Sequence, residues 1–469
     1  MFGTSHFSRR KAILVGILGT FIAIPALLLF SMVVRKAPSP QNNASGSPRL
    51  ISVEPLPEME GPMCQWVPAS ASMSLAAALQ QERIAAGAVP DEAARLAASQ
   101  RKPDRIIRDP YASYSSVAVD PIRNEVVFTD ENLFNIMVYD RMANTPPSAT
   151  MTEPKRVIGG LKTKIEFQCG LYIDPDSGDI YAVNNDTVNT LVIFSRQAKG
   201  NVPPDRELYT PHGTFGIAVD EEAQELYLTL QHDSAMVVYK KTASKDDSPL
   251  RLLQGVRTRL ADPHGIALDS KNRLIFVTNH GSVHQKRPGG QPASYGGGRP
   301  EGKTNWPVGE PVPGTGRNFP PAITVYALDA QGDTPPLRVI EGPKTQLNWP
   351  TGIAFNPKRD ELYVANDMGD SILVFDAKAG GDVAPLRVIK GPKTMIDNPT
   401  GVFFDAPNDE LWVTNFGNHT ATVYKPATAG DTAPLRVIRS GPLGKPALAI
   451  GNPGALAYDS KREEILAPN

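Results

Sequence analysis

A repeat of about 49 residues constrains this chain more than any other feature of its sequence. Its clearest copies read PLRVIEGPKT at 336–345, PLRVIKGPKT at 385–394 and PLRVIRSGPL at 434–443, so each begins 49 residues after the one before. Weaker copies with the same Pro-x-Arg start begin at Pro103, Pro154, Pro204 and Pro249. Self-similarity at such a period indicates structural units that stack on one another. We expect the recurring arginine to make a structural contact on an outer strand.

Each copy leads into two further apolar segments, and six of the seven copies lead into a third. The first ends in Asp or Asn, as in GIALD at 265–269 and GIAFN at 352–356. The second ends ten residues later, in six of seven copies again with Asn or Asp, and a third follows, as in ILVFDA at 372–377. Short β-branched or aromatic segments bounded by turn residues are typical of strands. Four strands per repeat predict an all-β chain, a β-propeller of four-stranded blades.

The segments YVANDMGDSILVFD at 363–376 and VTNFGNHTATVY at 413–424 resemble NHL and YVTN-type β-propeller repeats. The resemblance covers about residues 103–469. It implies the fold rather than an activity, because this repeat class serves enzymes, binding modules and scaffolds alike.

The number of blades follows from counting the first two segments, which occur seven times. The seventh pair, ALAYD and EILAPN, ends with the sequence and lacks its outer strands. The segment RLISVEPL at 49–56 can supply a missing third strand from the N-terminal side. We therefore predict seven blades, with six blades plus terminal extras as the alternative.

Residues 12–34 form a run of 23 without a charge, preceded by Arg9, Arg10 and Lys11. About 20 apolar residues span a bilayer, and a basic leading flank favours a cytoplasmic N-terminus. We predict a cytoplasmic stub and uncleaved transmembrane signal anchor at 1–36, with a cleaved signal peptide as the alternative. A tether and short helical segment follow at 37–102, and the propeller at 103–469 is expected to be periplasmic or extracellular.

Charge and cysteine content narrow the function classes. The chain has 48 Lys+Arg against 49 Asp+Glu, whereas a nucleic-acid binder needs a basic excess to neutralise phosphates. No nucleic-acid partner is expected. In an oxidising compartment Cys64 and Cys169 can form a disulfide, and two unpaired thiols are the alternative.

One face of the propeller is expected to form a funnel around the axis, because the first strand of each blade starts where the second ends. The residue before each GIAxD motif and the Asn ten residues after its Asp are predicted to line it. His264, His280 and His212 fall near this face, and neutral imidazole binds zinc or copper. The PHG context of His264 also resembles a zinc-ligand context in the peptidyl-amidating lyase branch of NHL propellers.

Other interpretations of the funnel stay open. A calcium-type lactonase site would need a converging set of Glu, Asn and Asp, which the recurring Asn and Asp can supply. Alternatively, turn chemistry explains the recurring Asn and Asp, because these side chains form hydrogen bonds with their own backbone. The histidines would then be polar residues that hydrate the channel.

The fourth repeat is about 38 residues longer than the others, and the excess lies at about 280–321. A loop of this length in a compact domain is usually functional or disordered. It is rich in Gly and Pro, and aromatic and Arg residues favour interfaces. We predict a partner-binding arm, with a mobile insertion or a lid as alternatives. The candidate contact residues are Lys286, Arg287, Tyr295, Arg299, Trp306 and Arg317.

No nucleophile elbow, HExxH helix or Walker loop is present. The first functional hypothesis is therefore non-catalytic: a membrane-anchored scaffold subunit that binds a protein partner in a membrane-associated complex. The alternative is an NHL-like metal-dependent lyase, lactonase or other hydrolase, using zinc or calcium in the funnel. A sugar- or cell-wall-binding propeller is a third hypothesis.

Overall fold

Six antiparallel sheets of four strands each account for the repeat, and each sheet is one blade. The computed structural model describes residues 109–185, 188–282 and 319–448, residues 96, 100 and 461, and two short stretches at 457–459 and 464–466. All of them belong to one compact unit, Gly87–Asn469. The predicted anchor, nearly all of the tether and most of the insertion lie outside the described residues. Among the residues that are described, no helix has the length and apolar character that crossing a membrane requires.

The strands follow one another along the chain in blade order. They are β1 (Tyr114–Asp120), β2 (Glu125–Asp130), β3 (Asn135–Asp140) and β4 (Arg156–Gly159) in blade 1; β5 (Gln168–Ile173), β6 (Ile180–Asn184), β7 (Thr190–Phe194) and β8 (Arg206–Tyr209) in blade 2; β9 (Thr214–Asp220), β10 (Glu225–Leu230), β11 (Ala235–Lys240) and β12 (Arg251–Gln254) in blade 3; β13 (Pro263–Asp269), β14 (Leu274–Asn279), β15 (Ala322–Ala327) and β16 (Arg338–Glu341) in blade 4; β17 (Pro350–Asn356), β18 (Glu361–Asn366), β19 (Ser371–Asp376) and β20 (Arg387–Ile389) in blade 5; β21 (Pro399–Asp405), β22 (Glu410–Asn415), β23 (Thr420–Tyr424) and β24 (Arg436–Arg439) in blade 6; and finally β25 (Ala457–Asp459) and β26 (Glu464–Leu466). The described residues also contain short 3₁₀ helices at Leu161–Thr163, Pro343–Thr345, Asp367–Gly369 and Phe416–Asn418.

The turn between the first two strands of a blade explains the Asp that ends each GIAxD motif. In blade 1, Asp120 Oδ1 accepts a hydrogen bond from the backbone N–H of Arg123 at 3.0 Å. The next residue, Asn124, has a left-handed φ of 54°, a conformation that Asn tolerates better than most residues. The Asp and the turn residue together reverse the chain, so the second strand pairs in register with the first.

The ring closes with six blades, so the prediction of seven is wrong and its alternative is right. Each inner strand packs between those of its two neighbours, and β21 of blade 6 packs directly against β1 of blade 1. No gap is left in which a seventh blade could stand. The seventh pair of segments forms β25 and β26, which make a separate two-stranded sheet. Blade 6 takes all four strands from its own repeat, and the segment at 49–56 lies outside the described residues.

Main-chain contacts of one kind join the outer strands of neighbouring blades all round the ring. In each blade from the second onward, the loop before the outer strand pairs with the outermost strand of the preceding blade, for example Gly430 with Ile389. Blade 1 makes the equivalent contact with blade 6, because Thr145 N–H donates to the carbonyl of Val437 at 2.7 Å. Closure therefore uses main-chain hydrogen bonds between blades and needs no strand exchange.

A threonine near the end of the second strand links neighbouring inner strands. Thr278 Oγ1 accepts from Gly265 N–H at 2.8 Å and donates to the carbonyl of Thr351 in the next blade at 2.7 Å. The glycine is needed because a Cβ at Gly265 would lie 2.3 Å from that carbonyl oxygen. The inner strands of neighbouring blades can therefore approach closely around the axis.

The arginine of the Pro-x-Arg motif has the predicted structural role. On the outer strand of blade 5, Arg387 makes a two-pronged ion pair with Glu361 at the start of β18, at 2.8 and 2.7 Å. Arg156, Arg251 and Arg436 pair in the same way with Glu125, Glu225 and Glu410. Such paired hydrogen bonds fix the outer strand against the second strand of the same blade.

Candidate functional site

Two positions of the repeat bring side chains to one end of the central channel. One lies five residues before the Asp or Asn that ends the inner strand, and the other directly follows the second strand. Because the two strands are antiparallel, both positions belong to the same end, which we call the mouth. The first position holds Ser115, Cys169, Phe215, His264, Thr351 and Thr400; the second holds Glu131, Asn185, Gln231, His280, Asp367 and Phe416. The channel has a volume of about 470 Å³ and is lined by the inner strands.

A local irregularity accompanies the first position. The pairing of β13 with β14 shifts between Pro263 and Ile266, around His264, and the inner strands of the other blades are irregular at the same place. A bulge breaks the strict alternation of a strand and re-aims a side chain, which is why bulges are frequent beside active sites.

The recurring Asn does not line the mouth as predicted. Asn366 is buried, its Oδ1 accepts from Asn348 N–H at 2.6 Å and its Nδ2 donates to the carbonyl of Gln346 at 3.1 Å. Asn184 holds the loop before β5 in the same way. These amides are used by the backbone, as the turn-chemistry alternative proposed. The residue one place further along the chain occupies the mouth.

Asp262, His264 and His280 form a cluster at the blade 4 side of the mouth. One potential ligand atom from each lies within 4.8 Å of the other two. Asp262 Oδ1 is 3.7 Å from His264 Nδ1, and its Oδ2 is 3.8 Å from His280 Nδ1. Burial lowers the pKa of both imidazoles, and His264 lowers that of His280 further. Both rings are therefore neutral near pH 7, the form in which histidine binds a metal.

The two histidines belong to a column of rings that crosses the mouth. The His264 and His280 rings stack with centroids 3.4 Å apart and planes inclined by 19°. Trp349 covers the His280 ring at 4.8 Å, and Phe215 contacts His264 at 4.1 Å. Trp349 is 52% exposed. Blades 3, 4 and 5 thus join in one aromatic wall with an open outer end.

Of the three predicted metal ligands, the structure brings two together. His212 stacks instead on His232, with ring centroids 4.7 Å apart, and its Nδ1 lies 3.2 Å from Asn189 Oδ1. The third member of the cluster is Asp262, which the sequence analysis missed. Its signal was present in the DPHG motif, where it stands two residues before His264.

An acidic group lies at the blade 1 side of the mouth. Loss of solvent raises the pKa of Glu131 to about 8, although hydrogen bonds from Ser115 and Cys169 act in the opposite direction. The Cys169 Sγ is 3.7 Å from Glu131 Oε1. Burial also raises the pKa of Asp367, on blade 5. Sequence reasoning missed both acids, whose only signal is their place directly after the second strand.

The other predicted site residues lie outside the described residues, except Cys169, which lies at the mouth. Cys64 lies outside the described residues, so its disulfide with Cys169 stays a prediction. The predicted partner contacts also lie outside them: Lys286, Arg287, Tyr295, Arg299, Trp306 and Arg317. The described ends of the insertion meet beside the cluster, because Phe319 N–H donates to the carbonyl of Gly281 at 2.7 Å.

Fold and repeat define the class: this is a six-bladed β-propeller of four-stranded blades. Within it, residues 309–434 match the family model described as SMP-30/Gluconolactonase/LRE-like region. That match runs from β15 to β23 and takes in a little over a quarter of the chain. A solved structure of Kuenenia stuttgartiensis hydrazine synthase is similar at 12% identity and a TM-score of 0.44, covering 70% of this chain and 99% of that one. No curated protein matches the chain.

Proposed function

We propose that the protein is a hydrolase of the lactonase type that acts at the mouth of the channel. The observation that carries the proposal is Glu131, a carboxyl group at the mouth whose pKa is raised to about 8. Acids whose pKa is strongly perturbed by burial are frequent in active sites. The match of residues 309–434 to the SMP-30/Gluconolactonase/LRE-like region supports the same class of reaction.

Glu131 is suited to move a proton in both directions at neutral pH. A group with a pKa near the working pH transfers protons most efficiently. In its ionised form Glu131 takes a proton from the water that attacks the carbonyl carbon of a cyclic ester. When the tetrahedral intermediate collapses, the ring C–O bond breaks and the same carboxyl returns the proton to the leaving oxygen. The product is an open hydroxy acid, and the protonation state of Glu131 is restored.

The other side chains at the mouth set what can bind. Asn185 Nδ2 donates to the carbonyl of Thr214 at 3.0 Å and lies 3.3 Å from Gln231 Oε1, so these amides form a fixed polar wall. The channel below is apolar and of small-molecule size, about 470 Å³. A pocket with an apolar body and a few oriented polar groups fits a compact polar ligand. A small hydroxylated lactone has this character.

The test is hydrolysis of aldonolactones and aryl lactones by the purified full-length protein, followed by pH-stat titration. We expect turnover to rise with pH through a transition near 8. Glu131→Gln should lower it by about 10²–10⁴-fold, the usual contribution of general acid–base catalysis. The matched control is Glu341→Gln, which removes a carboxylate on an outer strand that forms an ion pair with Arg259. Absence of lactone hydrolysis, or full activity in Glu131→Gln, would refute the proposal.

The scaffold hypothesis stays a prediction beside this one. It rests on the anchor at 12–34 and the insertion at 280–321, which lie wholly or mostly outside the described residues. Membrane attachment, a cytoplasmic N-terminus and a periplasmic or extracellular propeller are predictions of the same kind. Protease protection of spheroplasts tests the topology. Co-purification from solubilised membranes, with and without residues 283–318, tests for a protein partner.

A further inference from the structure

We infer that the open face of Trp349 is a binding subsite for a planar aromatic ring that carries no negative charge. The inference deepens the proposed function and rests on it only in taking the ring to be part of the substrate. Ring binding needs no hydrolysis, so the two can be tested separately. The supporting features are the rings beneath the indole, the backbone that holds it, and the side chains around it.

Trp349 ends the column of rings and leaves one face of its indole open. The indole lies on the His280 ring with centroids 4.8 Å apart and planes inclined by 30°, and His280 in turn lies on His264. Only 6% of the His280 side chain is exposed, whereas half of Trp349 is exposed. A ligand ring on the indole would extend the column by one member, at the centroid distance of about 4.5–7 Å that aromatic pairs prefer.

The backbone of Trp349 has a left-handed conformation that bulky residues rarely adopt. Its φ is 53°, which is unusual for such a side chain. The equivalent position holds Gly213, Asp262 and Asn398 in three other blades, and these residue types adopt the conformation more readily. In blade 2 it holds Phe167, whose ring packs against blade 1. The loop therefore folds without tryptophan, and a strained residue retained at a cavity points to a role in binding.

Two hydrogen bonds fix this strained residue at the mouth. The Trp349 carbonyl accepts from the backbone N–H of Asp367 at 3.1 Å and from Thr351 Oγ1 at 3.2 Å. With the backbone held and one face of the indole packed on His280, little side-chain freedom is lost when a ligand binds. A preorganised surface of this kind binds more tightly than a mobile one of the same area.

Other large apolar side chains lie near the open face. Met368 and Phe319 are each about half exposed. The Met368 carbonyl accepts from Nδ2 of Asn348, the residue before Trp349, at 3.2 Å, and Phe319 N–H donates to the residue that follows His280. Exposed apolar patches beside a cavity mark binding sites. An apolar ring suits this surface better than a sugar ring, whose hydroxyl groups need hydrogen-bond partners.

The charges near the column disfavour an anionic ring. Asp262 Oδ2 is 3.8 Å from His280 Nδ1, and Asp367 Oδ1 accepts from Asn398 Nδ2 at 3.0 Å. Burial lowers the pKa of His264 and His280, so neither imidazole offers a positive charge near neutral pH. A carboxylate on the ligand ring would be repelled by the two aspartates.

The subsite opens on the same mouth as Glu131. Asp367, which bonds the Trp349 carbonyl, is close enough to Glu131 for its charge to raise the pKa of that carboxyl group. A substrate whose flat ring lies on Trp349 can therefore direct its lactone toward Glu131. In the proposed reaction Trp349 is a specificity-determining residue, and it takes no part in proton transfer.

The experiment measures binding of two lactams to the purified full-length protein by isothermal titration calorimetry. Dihydroquinolinone is a cyclic amide fused to a benzene ring, and valerolactam is the same cyclic amide without that ring. We expect dihydroquinolinone to bind at least about three- to tenfold more tightly, the usual contribution of one aromatic pair. This preference should disappear in Trp349→Ala and largely persist in Trp349→Phe, which keeps an aromatic face.

The matched control is Leu386→Ala, which removes an equally exposed apolar side chain from the outer part of the same blade and should leave the preference unchanged. A carboxylated dihydroquinolinone should bind more weakly than the neutral compound. Dihydroquinolinone should also quench tryptophan fluorescence in the wild-type protein, and this quenching should be lost in Trp349→Phe although binding persists. Because Trp349 is half exposed, both variants are expected to fold.

Several results would overturn the inference: no preference for dihydroquinolinone in the wild-type protein, an unchanged preference in Trp349→Ala, or equal binding of the carboxylated compound. Binding of a hydroxylated gluconolactam that depends on Trp349, without binding of dihydroquinolinone, would assign the indole to a sugar ring and overturn it as well. Ring preference without lactone hydrolysis overturns the proposed function alone. Lactone hydrolysis without ring preference overturns only the subsite.

Discussion

Substitution of Thr414 by valine tests how the ring closes. Thr414 Oγ1 accepts from Gly401 N–H in its own blade at 2.9 Å and donates to the carbonyl of Ser115 in blade 1 at 3.0 Å. Valine has the same shape and lacks only the hydroxyl. Blade 2 already carries Val183 at the equivalent position, where it is fully buried, so the site tolerates the methyl group.

The loss of stability follows from the two hydrogen bonds. The Ser115 carbonyl keeps a second donor, Thr400 Oγ1 at 2.8 Å, so the unsatisfied group is the buried N–H of Gly401. An unpaired buried donor is unfavourable by about 1–3 kcal/mol. The methyl group that replaces the hydroxyl returns at most about 0.8 kcal/mol. We therefore expect Thr414→Val to lower the free energy of unfolding by about 1–2 kcal/mol.

The assay is urea unfolding followed by tryptophan fluorescence, with two comparison variants. Thr278→Val removes the same link between blades 4 and 5 and should destabilise the protein at least as much. Thr432→Val, on an exposed loop, should change stability by less than about 0.5 kcal/mol. If Thr278→Val destabilises but Thr414→Val does not, blades 6 and 1 do not meet as described and closure with six blades is refuted.

Two further predictions concern the blades themselves. Burial raises the pKa of Glu125, but hydrogen bonds from Arg156 and Lys155 outweigh it and lower the pKa from 4.5 to about 2. The stabilising effect of ionised Glu125 is thus complete above about pH 4.5 and lost as the pH falls toward 2. In Arg156→Met, the urea midpoint should therefore fall less than in the wild-type protein between pH 5 and 3. Gly265→Ala would place a Cβ 2.3 Å from a backbone oxygen of the next blade and should destabilise by about 1–3 kcal/mol or more. Gly380→Ala, whose Cβ meets nothing closer than 3.8 Å, should be neutral by the same measurement.

The sequence by itself determined the blade. Apolar alternation, the Asp that ends each inner strand and the turn residues after it act within about 20 residues of chain. Local hydrogen bonds, such as that from Arg123 N–H to Asp120, fix the turns between the strands of a blade. The outer arginine could be expected for the same reason, because it recurs at one register in every repeat. Because these local interactions recur seven times along the chain, they can be recognised from the amino-acid sequence alone.

The number of blades was decided only in three dimensions. Counting motifs gives seven pairs of inner segments, but the ring has room for six. Its size depends on how closely inner strands approach at each glycine and on the Thr–carbonyl links between blades. The last pair, β25 and β26, carries the sequence pattern without a place in the ring, because β21 already packs against β1.

The candidate site also combines features that the sequence predicts with features that only the tertiary structure decides. The repeat register placed His264 and His280 together correctly. His264 lies near the start of β13 and His280 directly follows β14, and these two strands are antiparallel neighbours in blade 4. The register also grouped His212 with them, but that side chain stacks on His232. Asp262 joins the cluster through a left-handed backbone conformation, φ 54°, that points its carboxylate at the two rings. Register along a strand is periodic and can be predicted from sequence, whereas the direction of a side chain in a loop is set by packing with neighbouring blades.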